Sequence, residues 1–145
     1  MSTQHNDFTW NAAVVLNNTQ RVLVRNMERA AMFVESAVIR SISVGQSVRR
    51  TKGGHVVGLN PSRPGEAPHV LLGRLRQSIT HKVMVIAGQV RAFVGTNVIY
   101  AKRLELGYAG KDRRGRNINQ APRPYLRPAV RNNRSAIKRL ISGVN

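Results

Sequence analysis

Residues 79–94 read ITHKVMVIAGQVRAFV. In this stretch Ile79, His81, Val83, Val85 and Ala87 alternate with Thr80, Lys82, Met84 and Ile86. After Gly88, Val90, Ala92 and Val94 alternate with Gln89, Arg91 and Phe93. Successive strand side chains point to opposite faces, so two such runs around a glycine predict a β-hairpin over about 79–95. The segments flanking this hairpin carry a different period, and that combination decides the fold class.

Upstream, Thr9 to Ser43 contains neither Pro nor Gly. Val24, Met27, Ala31, Val34 and Val38 recur at spacings of three and four, which predicts one long helix over about 9–43 with Gly45 as its stop. Arg21, Arg25, Glu28 and Arg29 lie off this stripe, with Arg25 and Glu28 placed to pair one turn apart. Val22, Leu23, Ala30, Phe33 and Ile39 add apolar positions elsewhere around the helix, which a second packing partner would explain. Residues 45–70 contain Gly53, Gly54, Gly58, Pro61, Pro64, Gly65 and Pro68 and read as an irregular basic loop. Leu71 to Ser78 and Ile99 to Leu106 suit short helices, the second closed by Gly107. Residues 107–123 read as a second Gly-rich basic loop. Pro124 opens a final helix to about Ile141, with Leu126, Val130, Ile137 and Ile141 along one stripe. Arg127, Arg131, Arg134 and Lys138 form a basic stripe beside it. The expectation is an α+β fold, with long N-terminal and C-terminal helices packed on a small antiparallel sheet.

A chain of 145 residues fits one domain, 1–145, with a modest core. Aromatics make up only 5% of it, which suits a thin domain that completes its burial against neighbours. The absence of cysteine excludes disulfides, thiolate metal sites and cysteine nucleophiles. No apolar run approaches the roughly 20 residues needed to span a bilayer, and Met1 to Asp7 carry no signal-peptide core. A soluble intracellular product without a membrane partner is expected.

Charge is the strongest compositional feature. The formal net charge is +18, and residues 46–145 carry +17 of it. Arg outnumbers Lys 19 to 5, which favours bidentate contacts to phosphate or carboxylate. Such a field attracts polyanions. Tyr100, Tyr108 and Tyr125 are too scattered to form a base-stacking platform, so any nucleic-acid contact would be to the backbone.

Catalytic chemistry finds little support. Asp7, Glu28, Glu35, Glu66, Glu105 and Asp112 suggest no carboxylate pair, and surface or ion-pair roles are expected of them. His5, His55, His69 and His81 lack metal-ligand spacing. Residues Gly53 to Gly58 lack the lysine and the strand–helix context of a phosphate-binding loop. No enzyme activity, cofactor or metal is expected.

Three segments carry a resemblance. The first is Pro61-Ser62-Arg63-Pro64-Gly65-Glu66-Ala67-Pro68 leading to Leu72-Gly73-Arg74-Leu75-Arg76-Gln77-Ser78-Ile79. The second is Val94-Gly95-Thr96-Asn97-Val98-Ile99-Tyr100-Ala101, continuing to Leu104-Glu105-Leu106-Gly107. The third is Ala121-Pro122-Arg123-Pro124-Tyr125-Leu126-Arg127-Pro128-Ala129. In this order, across about half the chain, they resemble the head–tail joining and tail-completion (neck) proteins of long-tailed double-stranded DNA bacteriophages. Leu72 stands where that family usually has Thr or Ser, and Tyr125 where it usually has Phe.

The resemblance implies a structural virion protein assembled in the host cytoplasm, forming a homo-oligomeric ring, sixfold or twelvefold, through head-to-tail contacts. Its implied partners are further copies of itself, the head connector or adaptor, the tail terminator or tail tube, and double-stranded DNA passing without sequence readout. Arg49, Arg50, Lys52, Arg113, Arg114 and Arg116 are then expected to face the DNA channel or acidic partner surfaces. Gly65, Glu66, Gly73, Arg74, Leu75, Gly95, Thr96, Asn97, Tyr100, Glu105, Gly107, Arg123, Pro124, Tyr125, Leu126 and Pro128 are expected to hold fold and assembly together. Glu105 is expected to anchor an arginine, Arg74 or Arg123. A tail terminator subunit is an alternative within the same particle, and a basic nucleic-acid-binding protein is an alternative of another class.

Overall fold

The computed structural model describes residues 12–44, 48–59, 61–70 and 73–143, with residues 12–16, 48–50 and 56–59 described by backbone path alone. The helix start at Thr9, the stop at Gly45, the pair Leu71 and Leu72, and the side chains of Arg49 and Arg50 lie outside this description, as do His5 and Asp7.

The elements are α1 (Ala12–Ile42), β1 (Val48–Arg50), β2 (Val56–Leu59), α2 (Arg74–Ser78), β3 (Thr80–Ile86), β4 (Gln89–Gly95), α3 (Ala101–Leu106), β5 (Tyr108–Lys111), β6 (Asn117–Gln120), α4 (Leu126–Asn132) and α5 (Arg134–Ser142). The fold is α+β, as the alternating and helical periods predict. Its strands form three separate two-stranded antiparallel ladders, β1–β2, β3–β4 and β5–β6.

The long helix is the spine of the molecule. β3, β4, α4 and α5 all pack against α1. Its buried positions are Asn26, Ala30, Ala31, Val34, Ala37, Val38 and Ile42. Ala31, Val34 and Val38 belong to the expected stripe, while Val24 and Met27 are only half-buried. Ala30 and Ala37 widen the contact face, because a methyl side chain lets a neighbouring backbone come close. Asn26 is buried as well, and its Nδ2 donates to the Ile141 carbonyl at 3.2 Å, tying α5 to α1. Val38, Ile42, Leu75, Ile79, Ala101, Tyr125 and Ala129 meet in the central core, into which Leu126 and Ile137 pack from the C-terminal segment.

The β3–β4 hairpin lies where the alternation predicts it. Ile86 pairs with Gln89, so Ala87 and Gly88 form a two-residue turn. Both have positive φ, 50° and 76°, the backbone that a turn matched to strand twist requires. His81, Val83, Ala92 and Val94 share the half-buried face, with His81 opposite Val94 and Val83 opposite Ala92. Met84 and Phe93 project from the other face and are exposed.

Three expectations need correction. Residues 45–70 are not loop throughout, because β1 and β2 pair around a tight turn at Lys52 to Gly54, with a bulge between Arg49 and Arg50. The glycine pair makes the turn that joins the strands, with Gly54 N–H donating to the Thr51 carbonyl at 2.9 Å. Residues 107–123 likewise contain the β5–β6 ladder, closed over residues 112–116. The C-terminal helix is not continuous from Pro124. It starts at Leu126 and breaks at Asn133, whose φ of −109° and ψ of 15° are not helical. The Asn133 side chain donates to the Ala129 carbonyl at 2.8 Å, so a side-chain amide stands in at the break.

The hairpin is fastened to α1 by His81. Its Nε2 lies 3.0 Å from Glu28, and its Nδ1 bonds Glu35, so one ring bridges two carboxylates two helical turns apart. The Glu35 hydrogen bond is the main influence raising the His81 pKa above its ordinary value, with burial opposing it and Glu28 adding to it. A raised pKa in the folded state makes protonated His81 stabilising. That contribution is complete below about pH 6.5 and fades as pH rises through the higher folded value. We predict that wild-type thermal stability falls between pH 6 and pH 8.5 by an amount worth about 1 kcal/mol, and that the fall is absent in His81→Gln. Parallel melting curves that decline equally would contradict this role.

Candidate functional site

The first turn of a helix leaves backbone N–H groups without partners. At the start of α4 these are satisfied from outside. Glu105, in the last turn of α3, accepts from Tyr125 N–H at 2.8 Å, Leu126 N–H at 3.0 Å and Arg127 N–H at 2.9 Å. No local side chain caps this helix. A carboxylate twenty residues away supplies both hydrogen bonds and a charge suited to the positive end of the helix dipole.

Arg123 completes the junction. Its N–H donates to the Leu104 carbonyl at 2.6 Å and its Nε to the Ser62 carbonyl at 3.0 Å. Beside it, Gly65 N–H donates to the Pro122 carbonyl at 2.9 Å. The three segments 61–79, 94–107 and 121–129 are therefore stitched together through Glu105, Arg123 and Pro122. Pro122 and Pro124 keep the approach extended, which suits residues that bond sideways to neighbouring segments.

Other motif residues serve this junction locally. Glu66 accepts from Arg63 N–H at 3.1 Å, closing the turn in which Gly65 adopts a φ of 85°. Gly73 precedes α2 in the left-handed region, and Leu75 is buried. Ser78 Oγ and Thr96 Oγ1 lie 2.6 Å apart, and Thr96 also accepts from Val98 N–H at 3.1 Å, fastening Gly95 and Asn97 at the end of β4. Tyr125 is only 3% exposed. Burial first, then Glu105 and Tyr100, push its hydroxyl pKa up to about 12. Tyr100 is exposed and Pro128 half-buried.

The expected pairing of Glu105 with Arg74 or Arg123 is therefore corrected. Several converging backbone amides outcompete one guanidinium, because the helix end leaves them no other partner. The expected Arg25–Glu28 pair gives way to the His81 bridge. Glu28 and Glu35, seven residues apart on one helix face, were the available signal for that bridge, together with the inward register of His81.

The six expected basic contact residues fall on two hairpins. Arg49 and Arg50 lie in β1, and Lys52 is exposed in the following turn. Arg113, Arg114 and Arg116 are exposed at the tip of the β5–β6 hairpin. Asp112 organises that tip by accepting from Arg114 N–H at 2.8 Å, Arg116 N–H at 2.9 Å and Arg116 Nε at 2.7 Å. The Arg116 backbone bond, followed by its side chain, holds the Asp112 pKa below the ordinary carboxylate value. Arg116 is therefore partly neutralised, and Arg113 and Arg114 carry the free charge. Arg127, Arg131, Arg134 and Lys138 are exposed along α4 and α5.

Recesses in the surface accompany these features. A cavity of about 420 Å³ lies among the end of α1, residues 61–70, α2 and α3, with Leu75 and Leu104 in its lining and Arg74, Arg76 and Arg123 around it. An apolar groove of about 520 Å³ runs between α1, β4 and the C-terminal helices, bordered by Phe93, which is 51% exposed, and Val130, which is 43% exposed. Among the described residues, no group of three or more His, Cys, Asp or Glu is placed to hold a metal ion. No helix among them is long and apolar enough to cross a membrane. The arrangement offers helix capping, ion pairing and apolar contact.

A scan against protein-family models, a search of curated proteins and a search of solved structures each returned no match.

Removing the Glu105 carboxylate should uncap α4 and loosen all three segments at once. We predict that Glu105→Ala lowers unfolding free energy by about 2 kcal/mol, with Glu105→Gln less affected, measured by urea denaturation. A Glu105→Ala variant as stable as wild type would refute the clip. Gly107 gives a second test. Its φ is 76°, and an added Cβ would lie 2.8 Å from the Gln120 carbonyl and 3.1 Å from Pro122. Gly107→Ala should destabilise by about 2–3 kcal/mol or more, since both strain and backbone collision act.

Proposed function

We propose that this chain is a structural subunit of the neck of a long-tailed double-stranded DNA bacteriophage. In this reading, copies form a closed ring that joins the DNA-filled head to the tail and lets DNA pass, without catalysis. The observation that carries the reading is the meeting of the three resembling segments in one hydrogen-bonded unit around Glu105 and Arg123. Motifs scattered through a chain by chance have no reason to converge on one junction.

Two further features favour an assembly role. Phe93, Met84, Val85, Ile99, Leu106 and Val130 leave apolar surface exposed on several elements, as expected of a subunit buried by neighbours. Arg113 and Arg114 project from a hairpin tip held by Asp112, a mount for contact with DNA phosphates or with acidic surfaces of the connector or tail proteins. Too strong a positive lining would retard DNA, so part of this charge is assigned to protein partners.

The charge also supports a second reading, a cellular nucleic-acid-binding protein. That reading demands tight binding by the isolated chain with a steep dependence on salt. The neck reading demands weak binding before assembly. Electron microscopy of particles made after inactivating the gene tests the role. Filled heads beside finished, unattached tails are expected, with tail lengths discriminating joining from termination. Normal joined virions would overturn the proposal.

A further inference from the structure

We propose that the cavity of about 420 Å³ beside α2 receives residues 7–10 of a second copy of this chain, with Asp7 meeting the arginines and Phe8 the apolar floor. This deepens the ring reading, on which it rests, by naming the contact between neighbouring subunits.

The cavity has the make-up of a binding site. Its size lies in the range of about 300–1,000 Å³ typical of sites that enclose a ligand, with apolar walls and few polar groups. Ile42, Leu75 and Leu104 supply apolar surface, and among the described residues no carboxylate lines it. Arg74 and Arg76 are exposed and have no hydrogen-bond or ion-pair partner among the described residues. The Arg123 side chain commits only its Nε, to the Ser62 carbonyl. Ser62 is 4% exposed, and its Oγ has no hydrogen-bond partner among the described residues. A buried hydroxyl left unpaired costs about 1–3 kcal/mol, so an incoming polar backbone would recover that loss. Apolar floor, three guanidinium groups and an unsatisfied hydroxyl together specify an aromatic or aliphatic side chain next to a carboxylate.

Five of the chain's six acidic side chains already have partners. Glu28 and Glu35 bond His81, Glu66 bonds Arg63 N–H, Glu105 caps α4, and Asp112 holds the β5–β6 turn. Asp7, followed by Phe8 and Trp10, is the remaining carboxylate of the six.

Reach then decides which copy supplies it. α1 runs from Ala12 to Ile42, and at 1.5 Å per residue its ends lie about 45 Å apart. Ile42 lines the cavity. Asp7 is five residues before Ala12, and fully extended chain covers at most about 18 Å over that interval. A chain cannot place its own Asp7 in its own cavity. Donor and acceptor lie at opposite ends of the spine, so the contact is heterologous, the type that closes into a ring when the rotation between copies permits.

The test is a labelled peptide of residues 4–11 titrated into the full-length protein and followed by anisotropy. Binding is expected, weakened about tenfold or more by Arg74→Glu in the protein or by Asp7→Arg in the peptide, and restored when the two are combined. No binding at about 1 mM peptide, or binding indifferent to both changes, would overturn the contact. Sedimentation of the full chain gives the companion result, with self-association lost in Asp7→Arg and in Arg74→Glu. Assembly untouched by either variant would overturn this contact and leave the ring reading standing. Normal virions after gene inactivation would remove the neck role and leave the peptide result intact.

Discussion

The fold depends on a single carboxylate placed at a helix end it does not belong to. Glu105 lies on α3, yet its oxygens satisfy the first amides of α4. This contact fixes where the C-terminal helical segment begins, and so how Tyr125 and Ala129 enter the core beneath α1. It also leaves Arg123 free to reach the Ser62 carbonyl. Without the cap, desolvated N–H groups beside a buried tyrosine would lack partners, and burial of that tyrosine would be opposed.

The same economy runs through the other acids. A chain with 24 basic and six acidic residues has few anions to spend on structure. Those in the described residues hold a hairpin to the spine, close turns or cap a helix, and of the surface arginines there only Arg116 is ion-paired, by Asp112. Arginine is therefore left outward on the β5–β6 tip, on α2 and along α4 and α5. Self-repulsion weakens a compact state with such an imbalance, and anionic partners relieve it. In the proposed neck role, stability and assembly would be linked through this same charge, with DNA and protein acids both at hand.

Much of the architecture was legible in the residues. The alternation across Gly88 located β3 and β4, and the three-and-four spacing located α1, because both signals repeat over many residues. The β1–β2 and β5–β6 ladders were not legible. Their strands are three or four residues long, and a pair such as Tyr108-Ala109-Gly110-Lys111 with Asn117-Ile118-Asn119-Gln120 shows too little alternation to separate from a loop. The break at Asn133 escaped because the apolar spacing of Leu126, Ile137 and Ile141 continues across it. The importance of Glu105 was visible from its setting among motifs, but its partner was misassigned. Charge pointed to arginine, while the actual acceptor role answers backbone amides that no sequence pattern displays. The cavity was equally hidden, since Ser62, Arg74, Leu104 and Arg123 meet only through the folded chain.

Glu105 fastens the three motif segments and the spine into one cooperative unit. Native-state hydrogen exchange measures this directly. The amides of Tyr125, Leu126 and Arg127 should open with the same free energy as those of Val34 to Ile42 in α1, and the two sets should fall together in Glu105→Ala. Amides at 125–127 that exchange far more readily than the spine in the wild-type protein would show that the clip is local and that the fold does not depend on it.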